Sequence, residues 1–245
     1  MASDLELENL AESLARVATE LFMPGSVVAT LQRIVTLAED TIDGCDGAGV
    51  FVVRDGAVAT AASSSPLTDS LDRLQIEANE GPCLEASARG ATVYAQDLAD
   101  DERWPTFGPQ AVAAGVRCVL SYALSVEQPS ALNLYAHLPA AFGATDRAQG
   151  QLFATLARLA LESAEVRAAD VVRVTNLTDA LRTREVIGQA QGILMERERI
   201  TADQAFEVLR RASQRMNVKL RSVAESLVQT GESPDVSGQS GGVRG

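Results

Sequence analysis

The sequence predicts an α+β protein. Its N-terminal part is a domain built on one antiparallel sheet with flanking helices, linked by a long helix to a C-terminal three-helix module. Three observations carry this expectation. Residues 47–63 and 116–137 alternate like strands, and the first stretch is split by the two-residue turn signal Asp55-Gly56. From Thr145 a helical period begins and continues to about Arg199 without a breaker. Beyond it, Thr201 to Gln204 reads T-x-x-Q, a capping box that starts another helix.

In chain order, Ser3 to Glu6 is a further capping box, and Leu7, Leu10, Leu14, Val17 and Leu21 alternate spacings of three and four. Such a narrow seam suits a helix that meets another helix, in a second chain or in its own domain. Pro24-Gly25 ends it. A second helix is expected from Ser26 to about Ile42, with Val27, Val28, Leu31, Ile34, Val35, Ala38 and Ile42 on a core face. After the hairpin, Ser65-Pro66 reads as an N-cap with proline at the first helical position, and Leu67, Leu71 and Leu74 share a face. Glu80 to Glu85 is a turn into a short helix, Ala91 to Tyr94 a short strand, and Asp97 to Pro105 a polar loop with the single Trp104.

Two strands follow, Val116 to Leu124 and Leu132 to His137, joined through Gln128-Pro129-Ser130. Cys118, Leu120, Tyr122 and Leu124 share one side of the first; Leu132, Leu134 and Ala136 share one side of the second. In the long helix, Leu152, Leu156, Leu159 and Val166 begin a heptad-like seam that Asp170 and Arg173 dilute.

The C-terminal module is expected to bury Val186, Ile187, Ala190, Leu194 and Met195 from its first helix. Ala205, Phe206, Leu209, Ala212 and Met216 follow from the second, and Leu220, Val223, Ala224, Leu227 and Val228 from the third. Asn217 can end the second helix in the left-handed conformation. Gly192 inside the first costs about 1 kcal/mol against alanine, which suggests a close approach to its backbone.

The expected division is a helix over residues 1–24 as a candidate dimer contact, the α+β domain over 25–144, and linker helix plus module over 145–231 (module core 170–231). Residues 232–245, rich in Gly and Ser, read as a disordered tail.

Charge is divided unevenly. The net charge of −12 argues at first against nucleic acid. Yet residues 1–169 carry 10 Arg against 23 acids, whereas residues 170–231 carry 10 basic residues against 8 acids. A weakly basic module can hold nucleic acid only with its cations on one face, and two modules acting together would help. Three widely spaced cysteines, Cys45, Cys83 and Cys118, fit no metal pattern and no disulfide framework, which suits a reducing cytoplasm. No stretch reads as a signal peptide or a membrane span.

Arg184-x-x-Ile187-x-x-Ala190-x-Gly192-Ile193-Leu194-Met195, then Ala205-Phe206-x-x-Leu209-Arg210-x-Ala212, then Lys219-Leu220-x-x-Val223-Ala224, resembles an ANTAR domain. ANTAR domains are three-helix RNA-binding modules of bacterial transcription antiterminators. The resemblance implies RNA-binding roles for Arg184, Gln191, Gly192, Arg210, Ser213 and Lys219, and core roles for Ile187, Leu194, Phe206, Leu209 and Val223. Gln191 departs from the pattern, since many members have Lys there.

Upstream, Glu80-Gly81-Pro82-Cys83-Leu84, Asp97-Leu98 with Asp101-Glu102-Arg103-Trp104-Pro105, and Ala131-Leu132-Asn133-Leu134-Tyr135-Ala136 resemble GAF domains. These are cytoplasmic sensory modules that hold small ligands between the sheet and one layer of loops and helices. Ser130 departs from the frequent Gly. The resemblance covers residues 26–165 and leaves the ligand open; the pocket candidates are Cys83, Trp104, Tyr122, Tyr135 and His137.

Chemistry at these positions is weighed against plainer roles. His137, the sole histidine, lies on the strand face opposite Leu132 and Leu134, and is a structural or surface residue before it is a ligand contact or a metal or haem ligand. Cys83, beside a Gly-Pro turn at a helix start, is placed where a thiolate is favoured. An inert buried thiol is the ordinary alternative. Trp104 is either a loop anchor or part of a lid.

No catalysis, metal or cofactor is expected. The resemblance implies a cytoplasmic, homodimeric antitermination regulator that binds tandem hairpins in nascent mRNA under control of a small-molecule or redox signal. Two other classes compete: a GAF-type free methionine sulfoxide reductase using Cys83 with Cys45 or Cys118, and a protein-binding adaptor.

Overall fold

A computed structural model describes residues 2–54, 57–125 and 129–232, so the Asp55-Gly56 turn, Gln128 and the expected tail from 233 lie outside the described residues. The chain divides into two compact units, residues 1–168 and 169–245.

The N-terminal unit opens with helices α1 (Ala2–Leu21) and α2 (Val27–Thr41), then strands β1 (Gly47–Arg54) and β2 (Ala57–Ser63). Helices α3 (Pro66–Ala78) and α4 (Pro82–Arg89), strand β3 (Val93–Ala95) and helix α5 (Phe107–Ala113) follow. Strands β4 (Cys118–Ser125) and β5 (Ser130–Ala136) complete a five-stranded sheet ordered β2-β1-β5-β4-β3, antiparallel at every pairing.

Each strand sends alternate residues to opposite faces, and both faces are buried. Val50, Leu120, Tyr122, Leu132 and Leu134 pack on one side with Ile34, Val35 and Ala38 of α2 and with Phe153 and Ala157 of helix α6 (Ala144–Glu198). Phe51, Val119, Ala131 and Tyr135 pack on the other with Leu71, Cys83, Trp104 and Phe107. The expected strand faces hold, because Cys118, Leu120, Tyr122, Leu124, Leu132, Leu134 and Ala136 all lie in the first cluster.

Local signals set the helix ends. Ser65 caps α3 by accepting from the Thr68 amide, with Pro66 in the first turn. Ser26 caps α2 in the same way through Ala29 N. The end of α3 is a left-handed Asn79 at φ 52°. α1 already includes Ser3, which removes it from the expected cap position.

Several expectations need correction. Val28 is 72% exposed although Val27 beside it packs on the core and Thr30 is buried, because it lies at the edge of the face that Leu31, Ile34 and Ala38 bury. The seam of α1 is partly spent within its own unit, since Val17 and Leu21 are buried in the core. The heptad-like positions Leu152, Leu159 and Val166 of α6 stand outside these corrections: they are 49%, 41% and 62% exposed on the outer side of the helix, while Phe153, Ala154, Ala157, Ala160 and Ala164 supply its buried face.

The C-terminal unit takes the last turns of α6, then α7 (Ala202–Met216) and α8 (Leu220–Thr230). Thr201 and Gln204 form the full reciprocal capping box, and Asn217 ends α7 in the left-handed conformation. The core is small-residued: Ala190, Leu194, Ala205, Leu209, Ala212, Val223, Ala224 and Leu227. Phe206, expected in that core, is 39% exposed, and Met195 and Met216 are 39% and 47% exposed. Ala205, Leu209 and Ala212 form the buried stripe of α7, and Phe206 lies to one side of it, so its ring is left at the margin.

Candidate nucleic-acid interface and sensory core

The six positions that the ANTAR pattern singles out fall on two helices and one turn. On α6, Arg184 is exposed, and its side chain has no hydrogen bond or ion pair among the described residues. Gln191 Nε2 donates to the carbonyl of Ala202 at 3.0 Å, which ties the carboxamide to the start of α7 and leaves its oxygen open. No atom comes within 4 Å of the place a side chain would take at Gly188 or Gly192. The close approach expected at Gly192 is therefore not made within the described residues, and both glycines present bare helix backbone to the outside.

On α7 the arginines are engaged. Arg210 forms a two-pronged pair with Glu207, Nε at 2.8 Å and Nη2 at 2.5 Å, and Arg211 reaches the same carboxylate at 3.3 Å. Hydrogen bonding from Arg210 pulls the Glu207 carboxyl down to about 2. Surface pairs of this kind contribute little and exchange readily for a better anion such as phosphate. Ser213 donates from Oγ to Val218 O at 2.6 Å and so braces the α7–α8 turn. Lys219, at the N-cap of α8, keeps an exposed side chain with no partner among the described residues.

Arg184 and Gln191 line one groove between α6 and α7, together with Thr183, Ile187 and Phe206. Phe206, Arg210 and Ser213 recur at i, i+4 and i+7, hence on one face of α7. Phe206 therefore joins the α6 positions to the α7 positions. The spacing of the apolar stripe predicts it in the core, but Ala205, Leu209 and Ala212 make a narrower buried stripe that leaves Phe206 to one side.

The five pocket candidates of the N-terminal unit do not form one site. Cys83, Trp104 and Tyr135 belong to one cluster, on the α3–α4 side of the sheet. Tyr122 lies on the opposite face, where its hydroxyl donates to Arg147 O at 2.8 Å. Strand alternation dictates this, since position 122 pairs with Leu132 and not with Asn133. His137 follows the last residue of β5, is exposed, and holds Nδ1 2.8 Å from Gly115 O. Trp104 is buried, with the Arg103 guanidinium 4.2 Å above its ring, so it anchors its loop.

Between β5 and α3 lies a buried polar network in which Tyr135 and Cys83 are expected pocket residues and Asp72, Gln75 and Asn133 are not. Tyr135 donates its hydroxyl to Asp72 Oδ1 at 2.5 Å and accepts from Gln75 Nε2 at 2.8 Å. Asn133 Nδ2 also donates to Asp72 Oδ1, at 2.8 Å, while its Oδ1 accepts from Ser121 Oγ at 2.9 Å. Gln75 Oε1 accepts the Cys83 amide at 2.9 Å. Asp72 Oδ2 is buried without a partner. Gly49 sits opposite Asn133 in the sheet, and a side chain there would strike the Asp72 carboxylate. Only glycine lets α3 come this close to β1.

Burial pushes the Asp72 carboxyl up to about 6, against the lowering effect of hydrogen bonds from Tyr135 and Asn133. The same burial, with the Asp72 charge nearby, pushes the Cys83 thiol well above its ordinary value. A thiolate is thus disfavoured at Cys83, contrary to the expectation from its helix-start position. Cys45 is pushed up to about 12, also by burial, and Cys118 is raised for the same reason. Cys118 is buried in the cluster on the opposite face of the sheet and Cys45 packs against that cluster, so neither is placed to pair with Cys83.

Comparison with known proteins agrees with this anatomy. The GAF domain family matches residues 25–162, and the ANTAR domain family matches residues 175–228. None of the curated proteins matches the chain. Among solved structures, the GAF domain of a phosphoenolpyruvate-protein phosphotransferase from Acinetobacter is 14% identical. It aligns over 64% of this chain and 94% of its own, with a TM-score of 0.51. The corresponding domain from Coxiella burnetii is 14% identical over 66% and 98%, with a TM-score of 0.52. Free methionine-R-sulfoxide reductase from Neisseria meningitidis, in complex with its substrate, is 19% identical over 64% and 91%, with a TM-score of 0.53. At these identities the likeness is one of fold.

A sensory-type α+β domain ahead of a three-helix output module defines the class, a two-part regulator. The chain belongs to the GAF domain family and carries an ANTAR domain after it, the architecture of an antitermination regulator of the ANTAR type.

Proposed function

We propose that this protein is a cytoplasmic antitermination regulator whose ANTAR domain binds paired hairpins in nascent transcripts while its GAF domain responds to a small-molecule signal. The observation that carries the RNA reading is the exposed Arg184, without a side-chain partner among the described residues, lining a groove with Gln191 in a weakly basic module. Unpaired loop bases are recognised by their edges and faces, and Arg and Gln serve both. Arg210 and Lys219 add cations from α7 and the following turn.

Two hairpins call for two modules. A homodimer is supported by the exposed apolar stripe Leu152, Leu159 and Val166, which recurs every seven residues on α6. A redox signal is the less favoured form of control, since burial raises all three thiols.

The reading is tested by a gel shift of the full chain, at stated salt, on RNA with two adjacent hairpins and on a control with the loops replaced. A loop-dependent shift that Arg184→Ala weakens about tenfold is expected. Equal shifts of both RNAs would refute it.

A further inference from the structure

We propose that the groove between α6 and α7 is a slot for a single unstacked nucleobase, with Phe206 as its stacking surface. This rests on the RNA-binding reading above and adds a ligand class and a residue to it.

Phe206 is the only phenylalanine of the ANTAR region, and it is 39% exposed where a core residue was expected. Its ring lines the groove with Ile187 and Ala180, which give the slot apolar walls. The rim is polar and directional. Arg184 is unengaged, Thr183 offers a hydroxyl, and Gln191 keeps its carboxamide oxygen, because one N–H is spent on Ala202 O. Asp179 also lines the groove.

That carboxylate decides what enters. It repels a phosphate from the slot itself and accepts N–H donors, so the inserted group is the base and not the backbone. A base with an exocyclic amino group satisfies Asp179, and the phosphate beside it is left to Arg184. The flat face of the Phe206 ring, with donors and acceptors among the other lining residues, matches a heteroaromatic ring and fits a flexible aliphatic side chain poorly. Bare helix backbone at Gly188 and Gly192, on the Arg184 side of α6, allows the sugar to come close.

The test starts from RNA selected by the full-length protein from a pool of two-hairpin molecules with randomised loops. Loop positions are replaced singly by abasic nucleotides, and binding is followed by fluorescence anisotropy at fixed salt. Stacking of one base supports a loss of about tenfold to a hundredfold at one loop position. Phe206→Ala should cost about the same on intact RNA and nothing further on the abasic RNA, and Phe206→Tyr should bind like the parent.

Phe206→Leu separates stacking from mere apolar filling: it should lose most of the affinity, and full retention would overturn the slot. Retained helical circular dichroism and melting in Phe206→Ala keep the comparison on binding. If no loop-bearing RNA is selected over the loop-replaced control, the RNA reading itself falls. If RNA is bound but Phe206→Ala binds as tightly, or its loss adds to that of every abasic position, only the slot is refuted.

Discussion

Asp72 shows how one side chain can govern a domain's response to pH. Its neighbours are Tyr135 and Asn133 on β5, Cys83 on α4 and Asp69 one turn earlier on α3. Burial is the main reason its folded carboxyl titrates near 6, above the ordinary 3.8. The folded state therefore holds the proton to higher pH than the unfolded chain does, and this group's contribution to stability falls as pH rises through that window. The cost of ionisation is about 3 kcal/mol, complete above about pH 7 and absent below about pH 3. Asp72→Asn should accordingly gain stability relative to the parent between pH 5 and pH 8, measured by urea unfolding at several pH values. A difference that does not vary with pH would show that Asp72 stays ionised throughout. The buried thiols give a second test at this scale: Cys83 should resist alkylation by iodoacetamide in the folded protein and react once urea is added.

At the scale of elements, the caps were the most readable features. Ser65-Pro66, Thr201-x-x-Gln204 and Asn217 act as their sequences dictate because a cap is settled within four residues. Thr201→Ala should cost about 1 kcal/mol and lower the melting of the C-terminal unit, followed by circular dichroism. Side-chain alternation in β4 and β5 was equally legible, since a strand has only two faces. What a periodic pattern does not contain is where a neighbouring element stops. Val28 and Phe206 repeat at core spacing, but among the described residues no neighbour covers Val28, and Phe206 lies to one side of the stripe of Ala205, Leu209 and Ala212. The Asp72 network was hidden for the opposite reason: polar residues among Leu71 and Leu74 look like the wet side of α3 until Tyr135 is brought against them from 60 residues away. Gly192 offers a further check. With nothing near its backbone, Gly192→Ala should strengthen α6 by up to about 1 kcal/mol while weakening RNA binding, whereas a gain in both would place the RNA elsewhere.

The whole chain combines a strongly acidic N-terminal unit with a weakly basic C-terminal one, so affinity for RNA has to come from few cations used well. Arg182, Arg184, Arg199 and Lys219 have no side-chain partner among the described residues. If all four meet phosphates, log K should fall with log salt at a slope of about −3 per module and about twice that for a dimer engaging two hairpins. The slope is read from binding titrations across a salt series, and a value near zero would remove the electrostatic contribution. Dimerisation is checked separately: Leu159→Asp with Val166→Asp should halve the mass seen by sedimentation, and an unchanged mass would clear the α6 stripe of that role.

The buried network between β5 and α3 also sets terms for any signal that enters there. Asp72, Gln75, Asn133 and Tyr135 already occupy one another, so a ligand competes with the protein's own side chains. Binding then requires a parted arrangement, and apparent affinity falls by the share of molecules that adopt it. If that share is about 1%, a ligand of intrinsic micromolar affinity behaves as one of about 100 μM. Such a receptor stays silent at trace concentrations and answers only to abundance, and loosening the clasp, as in Tyr135→Phe, would move its threshold without touching the ligand.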